Sequence, residues 1–126
     1  REQAEQLNSA IRLCIDIFGK DSVFRRWKSR KYESRMNRAV FDILIYYFSV
    51  SKNNNLFIKN KKPIKEKFND FCMNDNRFIK SISSNTNNLM ETSTRFALWG
   101  KALKQFDNTI AIPSRLNTHF RNIQNT

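Results

Sequence analysis

Glycine and proline are scarce in this chain, two of each in 126 residues. Folds made of many short strands use Gly for left-handed turns and Pro to fix φ, so the scarcity favours helices. Gly19 and Gly100 are the only glycines, which excludes a Gly-rich loop that cradles phosphates. Histidine occurs once, as His119, so neither a His-rich metal site nor the paired histidines of a zinc-dependent nuclease can be built. A surface role suits His119 better than a catalytic one. The two cysteines, Cys14 and Cys72, stand 58 residues apart with no C-x-x-C partner, each among apolar residues at helical spacing. Buried thiols in a reducing compartment explain them better than a disulfide framework does.

Long apolar runs are lacking too. The longest, Ala39 to Val50, is interrupted by Asp42 and Ser49 and falls short of the ~20 residues a spanning helix needs. With no signal-peptide pattern either, a cytoplasmic location without membrane contact is expected. Asp16, Asp42 and Asp70 show no spacing that would gather them around Mg²⁺. The chain is therefore expected to be non-catalytic, with no cofactor and no metal. It opens on Arg1 in place of an initiator Met and runs directly into a helical pattern, as a C-terminal piece of a longer protein would.

What the chain does hold is aromatic and cationic. Eleven Phe, two Trp and three Tyr within a 40% hydrophobic composition argue for one packed domain. Lys and Arg outnumber Asp and Glu by 23 to 11, a formal charge of +12 that attracts polyanions, of which nucleic acid is the commonest. Solubility is the bland explanation of the same excess.

Residues 2 to 18 predict a helix. Ala4, Leu7, Ile11, Cys14, Ile15 and Phe18 form one face, widened by Ala10, Leu13 and Ile17, and Gly19 is the stop. A short helix is expected around Asp21 to Trp27, capped by Asp21 or Ser22, with KSRKYESR after it as irregular loop. Residues 37 to 50 are apolar nearly all round. Their β-branched and aromatic content leans towards strand, but fourteen residues without Gly or Pro favour a central buried helix. SKNNNL at 51 to 56 reads as a polar connector. Pro63 opens a helix bearing Ile64, Phe68, Phe71 and Cys72, and Asp75 caps another with Phe78, Ile79 and Ile82. SSNTNN at 83 to 88 is expected as loop. Leu89, Thr92, Phe96, Trp99, Leu103 and Phe106 then make a narrow stripe along a long helix. Gly100 inside it costs about 1 kcal/mol relative to Ala unless a neighbour packs closely there. Ser114 caps a last amphipathic turn with Leu116, Phe120 and Ile123. The fold expected is all-α, a single domain of five to seven helices around the buried Val40–Val50 helix.

The strongest functional signal is FRRWKSRKYESRMNR. Between residues 20 and 38 stand eight cationic side chains against Asp21 and Glu33, a local excess of six that is half of the whole chain's. Arg25, Arg26, Lys28, Arg30, Lys31, Arg35 and Arg38 suit phosphate neutralisation, and Trp27 and Tyr32, with Phe24, suit stacking on exposed bases. The competing reading is a solvated loop whose aromatics staple it to the core. A second group, Lys59, Lys61, Lys62, Lys65 and Lys67, flanks Pro63 and matters only if folding brings it beside the first.

IFG at 17 to 19 followed by Phe24, MNRAVFD at 36 to 42, FIKSIS at 78 to 83, Thr86, and RF at 95 to 96 form an ordered series over about residues 11 to 106. The series resembles the C-terminal helical region of bacterial restriction and phage-defence proteins of the ParB/sulfiredoxin-like, GmrSD type. That resemblance implies an accessory helical domain joined to an N-terminal nucleotide-handling domain. The family's D-G-Q-Q-R-type motif and its His-containing nuclease motif are absent here, so no catalytic residue carries over. Physically, Asn37 suits a helix cap, Phe41 and Phe96 suit the core, and Asp42 suits pairing with Arg95 or another base. The partners expected are DNA or RNA through residues 25 to 38. The alternative is a scaffold that docks on the N-terminal domain of the same parent, on another subunit or on a second copy.

Overall fold

The computed structural model describes residues 2–51, 54–83 and 88–113, and over these the chain is a bundle of helices with one small hairpin. In chain order come α1 (Glu2–Phe18), β1 (Trp27–Lys28), β2 (Lys31–Tyr32), α2 (Arg38–Val50), α3 (Asn54–Lys59), α4 (Lys61–Asn74), α5 (Asn76–Ser83) and α6 (Leu89–Leu103). The all-α class and the central helix are as the sequence predicts.

Helix α2 lies between α1 and α6, with Val40, Ile43, Leu44, Tyr47 and Phe48 buried. Phe68 of α4 is the aromatic hub. It meets Phe18 at 5.3 Å, Trp99 at 5.7 Å and Phe78 at 6.1 Å between ring centroids, all near edge-to-face. One ring thereby ties α4 to α1, α6 and α5 in the geometry that aromatic quadrupoles favour.

The caps follow local chemistry. Asn37 Oδ1 accepts from Val40 N at 3.1 Å to start α2. Asp75 Oδ1 accepts from Phe78 N at 3.0 Å to start α5. Gly19, at φ +90°, closes α1 by donating to Ile15 O at 2.7 Å. Pro63 is the third residue of α4, where its missing N–H has no helical partner to lose.

Five expectations change, the first being the irregular KSRKYESR loop, in which Lys28 and Lys31–Tyr32 instead belong to the paired strands β1 and β2. The face that α1 buries is Ala10, Leu13, Cys14, Ile17 and Phe18, while Ala4, Leu7 and Ile15 are exposed. The expected helix at 21 to 27 is a turn, in which Ser22 N and Val23 N both donate to Gly19 O. Too few residues separate Gly19 from Phe24, which is itself left-handed at φ 63°, for a helix to propagate. The polar connector is shorter than expected, because α3 begins at Asn54 and buries Phe57. Helix α6 is enclosed nearly all round, with Ser93, Thr94, Arg95, Ala97 and Leu98 buried beside Trp99, so its stripe is not narrow, and Leu89 is exposed. Gly100 fits its place there because Tyr47 packs against it. Residues 84–87, with Thr86, and the Ser114–Ile123 turn with His119 lie outside the described residues.

Candidate nucleic-acid interface

The basic segment folds as a two-residue hairpin. Trp27 pairs with Tyr32 and Lys28 with Lys31, antiparallel, and Glu33 N donates to Arg26 O at 2.9 Å one step beyond. The linking residues, Ser29 at φ 57° and Arg30 at φ 65°, are both left-handed. Two positive φ values mark a type I′ turn, the connection whose twist matches paired strands and which Asn-Gly normally supplies. Here two side-chain-bearing residues hold that conformation at a steric cost.

Strand alternation divides the hairpin into two faces. Trp27 and Tyr32 share one, half-buried, with ring centroids 4.8 Å apart at 69°. This face is docked on α4, where the Tyr32 hydroxyl donates to Asn69 Oδ1 at 2.9 Å. Burial raises the Tyr32 phenol above its ordinary value. Lys28 and Lys31 share the other face, both exposed and directly opposite each other. A like-charged cross-strand pair is destabilising, so this register sets two cationic side chains opposite each other at a cost.

The other candidates separate by what they touch. Arg25 Nη1 donates to the carbonyls of Ser34 and, at 3.4 Å, Glu33, which closes the base of the hairpin. Arg26 Nη1 donates to Ser83 Oγ at 3.0 Å and ties the hairpin to the end of α5. Arg38 pairs with Asp42 at 3.0 Å, its side chain 84% exposed. Arg30 and Arg35 are exposed. The fold thus brings Lys28, Arg30 and Lys31 together at one tip and engages Arg25 and Arg26 internally, a division that composition cannot reveal. Trp27 and Tyr32 belong with the half-buried side chains packed on the core.

The second lysine group does reach the first. Lys65 Nζ lies 5.8 Å from the Tyr32 ring centroid. Lys62, Lys65 and Asn69 fall at spacings of three and four on one face of α4, and Asn69 is the residue the hairpin grips. Lys61 instead pairs with Asp16 at 3.3 Å, and Lys67 sits over Phe71.

Arg95, buried on α6, donates to Ser81 O at 3.4 Å. Burial lowers the pKa of its guanidinium, and the charges of Asp42 and Glu91 oppose that shift. Asp42 itself is paired with Arg38. Cys14 and Cys72 are free and buried, and burial raises both thiols, Cys72 to about 11. Among the described residues no three His, Cys, Asp or Glu side chains are grouped to hold a metal ion. No described helix is long and apolar enough to cross a membrane. No family model, no curated protein and no solved structure matches this chain.

Proposed function

We propose that this is a non-catalytic helical domain that holds nucleic acid by its phosphates through the tip of the hairpin. The observation that carries the reading is the Lys28–Lys31 cross-strand pair beside the left-handed Ser29–Arg30 turn. Three cations are concentrated in four residues at a cost in stability, and a polyanion would relieve their repulsion. A loop selected only for solubility has no use for that arrangement. The aromatic pair anchors the hairpin, and Arg25 and Arg26 stiffen its base, so the tip is presented on a fixed support. The resemblance to the helical region of GmrSD-type defence proteins supports reading it as the accessory domain of a cytoplasmic restriction or phage-defence protein.

The test is fluorescence anisotropy with short labelled DNA and RNA at several salt concentrations. Affinity should fall steeply with salt, by a slope of about −0.9 for each duplex phosphate neutralised. Lys28→Ala/Arg30→Ala/Lys31→Ala should reduce that slope and weaken all sequences alike. Absence of binding at low salt would reject the reading.

A second reading, docking on another domain, another subunit or a second copy, is favoured by Ile15 of α1 and Ile58 of α3. Both are exposed, and they line one shallow groove. Sedimentation at rising concentration tests the self-association form, and a monomer throughout would remove it.

A further inference from the structure

We infer that the interface continues from the hairpin onto α4 through Lys62 and Lys65, and that this joined track takes the phosphate backbone of a base-paired duplex, not the bases of a single strand. The inference rests on the proposed nucleic-acid reading and sharpens it in two ways.

The first is extent. The Tyr32–Asn69 hydrogen bond fixes the hairpin against α4, and Asn69 continues the face that carries Lys65 and Lys62. Lys65 Nζ stands beside the Tyr32 ring on the docked face of the hairpin, one residue along the strand from Lys31 on its outer face. Lys62 is exposed, whereas Lys61 is occupied by Asp16 and Lys67, two residues past Lys65, falls off the Lys62–Lys65–Asn69 face and lies over Phe71. The track so inferred runs from the exposed Lys28, Arg30 and Lys31 on the hairpin to the half-buried Lys65 and the exposed Lys62 on the helix.

The second is the kind of nucleic acid. Proteins that hold single strands stack successive bases on exposed aromatic rings. Among the described residues every exposed large apolar side chain is aliphatic or Met, and none is Phe, Tyr or Trp. Trp27 and Tyr32, the rings nearest the cations, face each other and the core. Among the described residues, what remains is a set of cations on a stiff support with no fully exposed ring beside them. Such a surface gains most from a rigid polyanion of high charge density, and a duplex presents one charge per roughly 1.7 Å of its axis. A single strand would have to be ordered onto the track with little stacking to offset the cost.

The experiment compares 20-bp DNA and RNA duplexes with the matching single strands by anisotropy at several salt concentrations. The proteins are wild type, Lys28→Ala/Arg30→Ala/Lys31→Ala, Lys62→Gln/Lys65→Gln and Lys65→Arg, each checked by circular dichroism melting. Wild type should bind at least one duplex on the order of tenfold tighter than its single strand at low salt. The Lys62/Lys65 pair should lower the magnitude of the duplex DNA salt slope by about 2, and Lys65→Arg should keep wild-type binding. The DNA and RNA arms identify which backbone is preferred. Single strands bound as tightly as duplexes would overturn the duplex claim. Duplex binding that falls with the hairpin triple but not with Lys62→Gln/Lys65→Gln would overturn the continuation onto α4 and leave the hairpin reading standing. Wild type that binds nothing at low salt would remove the underlying reading, and the track with it.

Discussion

The phenol of Tyr47 lies against the backbone of Gly100. A Cβ added at residue 100 would stand 2.6 Å from Tyr47 Cζ, closer still to Oη, and 2.9 Å from Ile112 Cγ1. Tyr47 is fully buried and its Oη donates to Phe96 O at 2.6 Å, so the ring has no free direction in which to retreat. Gly100→Ala gains about 1 kcal/mol of helix propensity but overpacks the core by about 1–3 kcal/mol. The clash should win, lowering Tm by several degrees. Tyr47→Phe loses a hydrogen bond of about 1 kcal/mol and the nearest clashing atom together, so the double variant should be less destabilised than the two single losses combined. Thermal denaturation of the four proteins closes the cycle. A Gly100→Ala protein that melts above wild type would show that α6 shifts freely.

Asn37 joins three segments. Its backbone N–H donates to Phe24 O at 2.8 Å, its Oδ1 caps α2, and its Nδ2 donates to Ile82 O at 2.8 Å. Asn37→Ala removes the cap and the tie to α5 and should cost about 2 kcal/mol. Asn37→Ser restores a cap but cannot reach Ile82, so it should recover only about half of that loss. Denaturant unfolding measures both. Equal stability of the Ser variant and wild type would deny the Ile82 bond any weight.

Asn37, Gly19, Asp75 and Pro63 were legible in the sequence because caps and stops are local chemistry, complete within four residues. The central helix was legible through its length. The buried face of α1 was not, since Ala4–Leu7–Ile11–Ile15 and Ala10–Leu13–Cys14–Ile17 are both apolar stripes and only the neighbouring helices choose between them. The hairpin was not legible for a related reason. Its strands are two residues each, its turn lacks Asn-Gly, and what holds it is the bond from Tyr32 to Asn69, 37 positions away. The cationic residues of the candidate site stood out by composition. Which of them are committed inside the fold did not, because the partners of Arg25 are backbone carbonyls and that of Arg26 is a serine on another helix.

Stability should fall on the alkaline side. Burial raises the thiols of Cys14 and Cys72 from their ordinary 9.0, and the phenols of Tyr32 and Tyr47 from 10.0. A raised folded-state pKa means the unfolded chain releases its proton first. The contribution of these groups is fully present below pH 9 and declines as pH rises, by up to about 1.4 kcal/mol per pH unit for each fully buried group. Tyr32 is less deeply buried than Tyr47 and should count for less. Denaturant unfolding from pH 7 to 11 should show a decline that starts with the thiols and steepens with the tyrosines. Cys14→Ala/Cys72→Ala should flatten the part between pH 9 and 10, whatever it does to the absolute stability at pH 7. An unchanged slope in that interval would mean the thiols are accessible in the folded chain.

The hairpin tip should trade stability against binding, and this separates an interface from a solvated loop. Lys31→Thr removes the like-charged partner of Lys28 and puts a strand-favouring residue in its place, which should raise stability by about 0.2–1 kcal/mol. Ser29→Asn/Arg30→Gly supplies the residues that a type I′ turn prefers and should add about 1–2 kcal/mol by relieving two left-handed side-chain-bearing positions. Both changes remove a cation from the tip, so both should weaken nucleic-acid binding while the protein melts higher. Arg25→Ala should do the reverse. It frees the carbonyls of Glu33 and Ser34, loosens the base of the hairpin and lowers Tm, yet it leaves Lys28, Arg30 and Lys31 in place. At a temperature where it is folded, its salt slope should therefore stay close to that of wild type. Melting curves and anisotropy titrations on the same three variants provide the comparison. If Lys31→Thr and Ser29→Asn/Arg30→Gly gain stability and bind as wild type does, the strained, like-charged tip has no part in holding phosphate.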